Sequence, residues 1–120
     1  MIDWLSEVFG FRQHLVVPDG QGGIAHAQLT LGSGMLMVGS ARDDEWGTHL
    51  MEHGETGGRE TQSPYLIVPD VDACADRAKS RGGELLRGPL DEDHGGRSFL
   101  VRDPEGFLWN VGDYNPWHSQ

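Results

Sequence analysis

Cysteine is almost missing from this chain: Cys74 stands alone among 120 residues. A lone thiol cannot form an intrachain disulfide, which excludes a disulfide-stapled secreted scaffold and makes a reducing cytoplasm the expected compartment. Positive charge is scarce as well, with nine Lys and Arg against 19 Asp and Glu and a formal net charge of -10. That balance speaks against nucleic acid and anionic membrane surfaces as partners and favours cationic ones, while also serving solubility. No apolar run approaches the ~20 residues of a membrane-spanning helix. Nor does a basic segment followed by an apolar one mark a secretory signal. What the chain has in plenty is glycine, 18 residues, and these punctuate short apolar runs of two different periods. At this length a single core is expected, shared by two half-size modules.

Ile2, Leu5, Val8 and Phe9 recur at helical spacing, with Gly10 as a stop. Residues 11–17 and 24–31 read as strands around a Pro18 to Gly23 turn. In the second of these, Ala25, Ala27, Leu29 and Leu31 share one face and His26, Gln28 and Thr30 the other. After Gly32-Ser33-Gly34, residues 35–38 close the first module. The second half repeats the plan. Residues 64–68 form a strand, Asp70 caps a helix with Val71, Cys74, Ala75 and Ala78 on one stripe, and Gly82-Gly83 ends it. Strands follow at 84–87, 98–102 and 107–111. The last two are joined by Asp103-Pro104-Glu105-Gly106, where Pro104 presets φ, Gly106 can take positive φ, and Asp103 can hydrogen-bond the turn backbone. The class is therefore α+β. Module 1 covers about 1–40, a polar, Gly-rich linker 41–62, module 2 about 63–113 and a tail 114–120. The second module reads β-α-β-β-β and the first only α-β-β-β, so the repeat lacks its opening strand.

Four stretches, in order along nearly the whole chain, carry a family resemblance: Asp3 to Phe11, His26 to Leu29, Val68 to Ala73, and Arg97 to Trp109. The chain resembles the vicinal oxygen chelate superfamily of glyoxalases, extradiol dioxygenases, fosfomycin-inactivating enzymes and bleomycin-resistance binding proteins. The resemblance implies tandem βαβββ modules curled around a cleft, and it implies no single reaction. In that family a strand precedes the first helix, and in metal-dependent members it usually supplies a ligand. Here Met1 falls where the helix is already running, so either the recorded chain starts late or a neighbouring subunit completes the sheet. An unpaired edge invites pairing, and a homodimer is the expected outcome.

The resemblance also gives the positions where metal-dependent members place ligands. They fall on Ser63, on Asn110 and near Val38-Gly39-Ser40. Hydroxyl and amide oxygens bind divalent ions weakly beside imidazole or carboxylate. The expected cleft is therefore metal-free, with no cofactor, and a divalent metal is the alternative. His49-Leu50-Met51-Glu52-His53 matches the H-x-x-E-H pattern of inverted zinc proteases, yet it lies in the linker, where a short amphipathic turn is the expectation. Candidate ligand contacts are His26 and Gln28 on the polar strand face, and Leu108 and Asn110, which the family register points into the cleft, leaving Trp109 as core. Trp46 in the linker and Trp117 in the tail are loop aromatics able to stack on an aromatic or cationic ligand. His94 sits in a loop that could cover the cleft mouth, and Cys74 reads as core. With no catalytic constellation in view, the leading expectation is a small-molecule-binding protein that sequesters a cationic or aromatic compound. The alternatives are a metal-dependent lyase, isomerase or dioxygenase, or an enzyme using His26 as acid-base group, and an interaction subunit that pairs through the open sheet edge.

Overall fold

The two helices lie against each other, and their apolar stripes join the inner faces of two sheets in one core. A computed structural model describes residues 1–118. Helix α1 (Ile2–Phe9) buries Trp4, Leu5, Val8 and Phe9 and ends at Gly10, whose left-handed backbone returns its N–H to the last turn. Strands β1 (Arg12–Pro18), β2 (Ile24–Leu31) and β3 (Gly34–Val38) follow as an antiparallel meander. After the linker come β4 (Tyr65–Ile67), α2 (Val71–Ser80), β5 (Glu84–Asp91), β6 (Arg97–Arg102) and β7 (Leu108–Gly112). These strands make a second sheet in the order β4-β7-β6-β5, with β4 parallel to β7. The capping residue of α2 is Asp70, which accepts from the Ala73 N–H at 3.1 Å.

The largest shift from an expected boundary is in β5, read in the sequence as residues 84–87, which continues to Asp91 across a register shift between Arg87 and Leu90. A β-bulge lets the strand bend and resume its pairing with β6. The extension carries Asp91 and Glu92 to the end of the sheet.

The core lies between the helices and the inner sheet faces, with Leu5, Val8, Leu29, Cys74, Ala78, Phe99, Val101 and Val111 almost fully enclosed. Phe9 stands between Trp4 at 5.2 Å and Trp109 at 5.5 Å, in tilted and edge-on contacts that suit aromatic quadrupoles. Polar bonds fix the helix pair. Arg77 Nε donates to the Val8 carbonyl at 3.0 Å, Trp4 Nε1 to the Arg81 carbonyl at 2.9 Å, and Arg81 pairs with Glu7 at 2.7 Å. Cys74 is core, as expected, and burial raises its thiol pKa, which keeps it protonated and unreactive.

The β6–β7 turn forms as its residues dictate. Gly106 has φ 101°, and Asp103 Oδ1 accepts from the N–H groups of Glu105 at 2.8 Å and Phe107 at 3.0 Å. Asp103 does more than the sequence suggests, because its Oδ2 also accepts from Trp109 Nε1 at 2.8 Å. The linker is likewise more than a polar connector. It contains two short 3₁₀ helices, Trp46–His49 and His53–Glu55, and His53 is only 7% exposed. Its Nε2 bonds Glu60 at 2.7 Å and its ring meets the Phe107 ring edge-on at 4.9 Å. Arg102 donates to the carbonyls of Gly58 at 3.3 Å and Gly106 at 2.9 Å, so residues 53–60 are strapped across the turn.

Candidate ligand-binding site

Alternation along β7 sends Trp109 and Val111 into the core and leaves Leu108 and Asn110 on the open face of the second sheet. Register then assembles that face. Tyr65 of β4 and Leu100 of β6 flank Asn110, and Ile67 and Ser98 flank Gly112. Ser63 and Asn110, far apart in sequence, meet directly: Asn110 Nδ2 donates to Ser63 Oγ at 2.9 Å.

Next to this pair the sheet deepens into a recess of about 270 Å³ lined by Tyr65, Arg87, Glu92, His94, Gly95, Arg97, Ser98, Asn110 and Tyr114. Its walls are fixed by hydrogen bonds. Tyr65 Oη donates to the Tyr114 carbonyl at 2.7 Å, which ties β4 to the tail. Burial, and after it the nearby Asp113 charge, raises the Tyr65 phenol pKa, so this hydroxyl stays a donor. His94 stands edge-on to the Tyr114 ring at 5.1 Å. Glu92 accepts from Arg87 and, at 2.8 Å, from Ser98 Oγ; Arg87 first and Ser98 second hold its carboxyl pKa below the usual range. Arg97 is fully occupied elsewhere, bonding Asp72 at 3.0 Å and Asp91 at 3.3 Å.

The other residues expected at the site fall in different places. His26 and Gln28 lie on the first sheet, not the second. Gln28 Nε2 is 3.0 Å from His26 Nε2, so the amide donates and the ring nitrogen accepts. This engages the lone pair that a general base would use. Val17, Leu15 and Met37 are their cross-strand neighbours, all exposed, so the open face of the first sheet is an apolar surface around a polar pair. Trp46 is 59% exposed and shares a shallow hollow of about 380 Å³ with Asp44, Glu45 and His49. Trp117, 88% exposed, lines neither hollow.

The H-x-x-E-H segment does not form a helix. His49 ends the first 3₁₀ helix near Trp46, at 6.2 Å between rings, while His53 opens the second and bonds Glu60. Two imidazoles on one helical face are thereby lost. Among the described residues no three His, Cys, Asp or Glu side chains converge as metal ligands. At the family's ligand positions, the Asn110 amide nitrogen is turned toward a serine hydroxyl, a donor set that does not fit a divalent cation.

Two of the missed residues were readable from alternation: Ser98 on β6 and Tyr65 on β4 share a face with Asn110 by the period-2 rule. Arg87, Glu92 and Tyr114 carried no such signal. They reach the recess through the β5 bulge and the tail, neither of which has a motif.

A family model described as Glyoxalase/Bleomycin resistance protein/Dioxygenase superfamily matches residues 1–111. The chain belongs to this superfamily. Among solved structures, TioX from Micromonospora sp. ML1 is 33% identical, with a TM-score of 0.69 over 95% of this chain and 87% of that one. The fosfomycin resistance protein FosX from Listeria monocytogenes shares the fold, with a TM-score of 0.68 at 14% identity over 96% of this chain and 83% of that one. CFP32 of Mycobacterium tuberculosis, which carries a provisional glyoxylase name, is 31% identical over 90 residues, 74% of this chain. That match spans only 34% of CFP32, so this glyoxalase-superfamily chain corresponds to about a third of its relative. Rv0887c of the same species is 29% identical over 111 residues, covering 92% of this chain and 65% of the relative.

Proposed function

We propose that this superfamily member binds an aromatic small molecule on the open face of its second sheet without a metal and without performing chemistry on it. The observation that carries the reading is the Ser63–Asn110 hydrogen bond, which puts two weak, mutually satisfied ligands where metal-dependent members need strong ones. The recess beside it is walled by the rings of Tyr65, His94 and Tyr114, which favours aromatic over aliphatic ligands. Trp46, with Asp44 and Glu45 in its hollow, is a second contact suited to a cationic group. The lone buried thiol is compatible with a reducing cytoplasm as the working compartment.

Elemental analysis of untagged protein, run beside a tryptophan-fluorescence titration with aromatic compounds in the presence and absence of chelator, tests this reading. The expected result is substoichiometric metal and saturable quenching that chelator leaves unchanged. Metal near one per chain, with binding abolished by chelator, would overturn this reading and favour the metal-dependent lyase, isomerase or dioxygenase alternative.

The reading includes a homodimer. In the second sheet β7 is covered by β4, whereas its counterpart β3 has an open edge among the described residues, with Met35 and Met37 exposed beside it. Pairing of two copies at β3 satisfies those backbone groups. Light scattering after size exclusion at micromolar concentration is expected to give twice the chain mass. A monomeric mass would overturn the dimer, and binding only to a different, larger protein would favour the interaction-subunit alternative.

A further inference from the structure

Arg87 holds one feature that the ligand reading leaves unused. Its two terminal nitrogens both bond Glu92, so the end-on fork of the guanidinium is taken. Among the described residues its Nε–H donates to nothing, which leaves the side-on fork of Nε and one terminal N–H open. The side chain is about half exposed, 51%, and lines the recess. Arg97, the other arginine there, has Nε and both terminal nitrogens committed to Asp72 and Asp91. Glu92, for its part, is held by Ser98 as well as by Arg87, which anchors the carboxylate that the guanidinium bonds.

We infer that the recess selects an aromatic ligand bearing a carboxylate or a similar planar oxyanion, with the oxyanion on the side-on fork of Arg87 and the ring beside Tyr65 and Tyr114. This rests on the aromatic-binding reading above and adds the sign of the ligand's charge. A guanidinium fork matches a carboxylate with two parallel N–H···O bonds, a geometry no ammonium group can use. The ligand need not displace Glu92, because the two carboxylates approach different edges of the same planar cation. Aromatic walls supply the apolar contact, and Asn110 and Ser98 add polar atoms to the recess lining. The chain's formal charge of -10 opposes the approach of an anion. Screening limits that opposition to about 8–10 Å at physiological salt, whereas the fork acts at contact distance.

The test compares 2-naphthoate, 2-naphthamide and 2-naphthylmethylammonium by isothermal titration calorimetry, with the Gly95 amide resonance as the reporter that binding is in the recess. The expected result is naphthoate binding at least tenfold more tightly than either analogue, and a ratio that falls to near one in Arg87→Gln. Arg87→Lys, which keeps the charge but loses the fork, is expected to retain only a small part of the preference. Equal binding of all three probes would overturn the inference and leave the aromatic reading standing. Tighter binding of the ammonium probe would overturn it in favour of a cationic ligand. A naphthoate preference that survives in folded Arg87→Gln would overturn the role of Arg87. No binding of any probe at the recess would overturn the aromatic reading and this inference together.

Discussion

Asp103→Ala is expected to lower the unfolding free energy by roughly 3–5 kcal/mol, because one carboxylate satisfies three N–H donors and each buried donor left unpaired costs about 1–3 kcal/mol. Two of those donors belong to the turn backbone, at Glu105 and Phe107, and the third is the Trp109 indole, 2.8 Å from Oδ2. Asp103 is 3% exposed and Trp109 is buried, so water cannot readily replace the carboxylate at the indole, while the part-buried turn N–H groups lose the acceptor that fixes them. Against a typical domain stability of about 5–15 kcal/mol this is a large fraction. The measurement is urea unfolding, read as a fall in the midpoint at unchanged slope. Trp109→Phe removes the indole donor, so in that background Asp103→Ala is expected to cost about 1 kcal/mol less, a coupling that a double-mutant cycle resolves. A loss below about 1 kcal/mol in the single variant would show that the turn stands without its carboxylate.

The second large effect is at Gly106. Its φ of 101° is a conformation that side chains rarely adopt, and a Cβ there would lie 2.7 Å from His53 Nδ1. Gly106→Ala must therefore strain the turn and push the strap away. The expected cost is about 2–3 kcal/mol, of which roughly 1 kcal/mol is backbone strain and the rest the lost seat of His53. The two parts separate experimentally. In a His53→Ala background the clash is already gone, so Gly106→Ala is expected to cost only the backbone part. Limited proteolysis gives a second readout, since residues 53–60 freed from the turn should be cut much faster than in the parent protein. If the two substitutions add without coupling, the packing of His53 on Gly106 contributes nothing.

Most of the architecture was readable in the sequence. Helical spacing of Ile2, Leu5, Val8 and Phe9, the Asp70 cap and the Pro104–Gly106 turn are local signals, and each forms where its residue chemistry says it should. The family register was also right at the second sheet: Trp109 is core, Asn110 is on the open face, and Ser63 meets it. What could not be read is what depends on contacts between distant segments. His26 and Gln28 were correctly placed on one strand face, but nothing local says that this strand belongs to a different sheet from Asn110. His53 looked like one of several linker histidines, and only the approach of Glu60 and Phe107 makes it a buried anchor. The strand read at 84–87 runs on through a register shift to Asp91, and that unread extension is why Glu92 was missed as part of the recess.

The placing of β4 beside β7 has a consequence for how the chain comes off the ribosome. The first sheet is made of neighbours in sequence, so its strands can pair as soon as each one emerges. Tyr65, by contrast, waits for Asn110, and Ile67 for Gly112. Closing so long a loop on a three-residue strand is slow relative to making a hairpin. During synthesis β4 therefore stays without its partner until residues 108–112 have emerged. The aromatic recess, whose walls include both Tyr65 and Tyr114, can then form only after the segment carrying Tyr114 has been made.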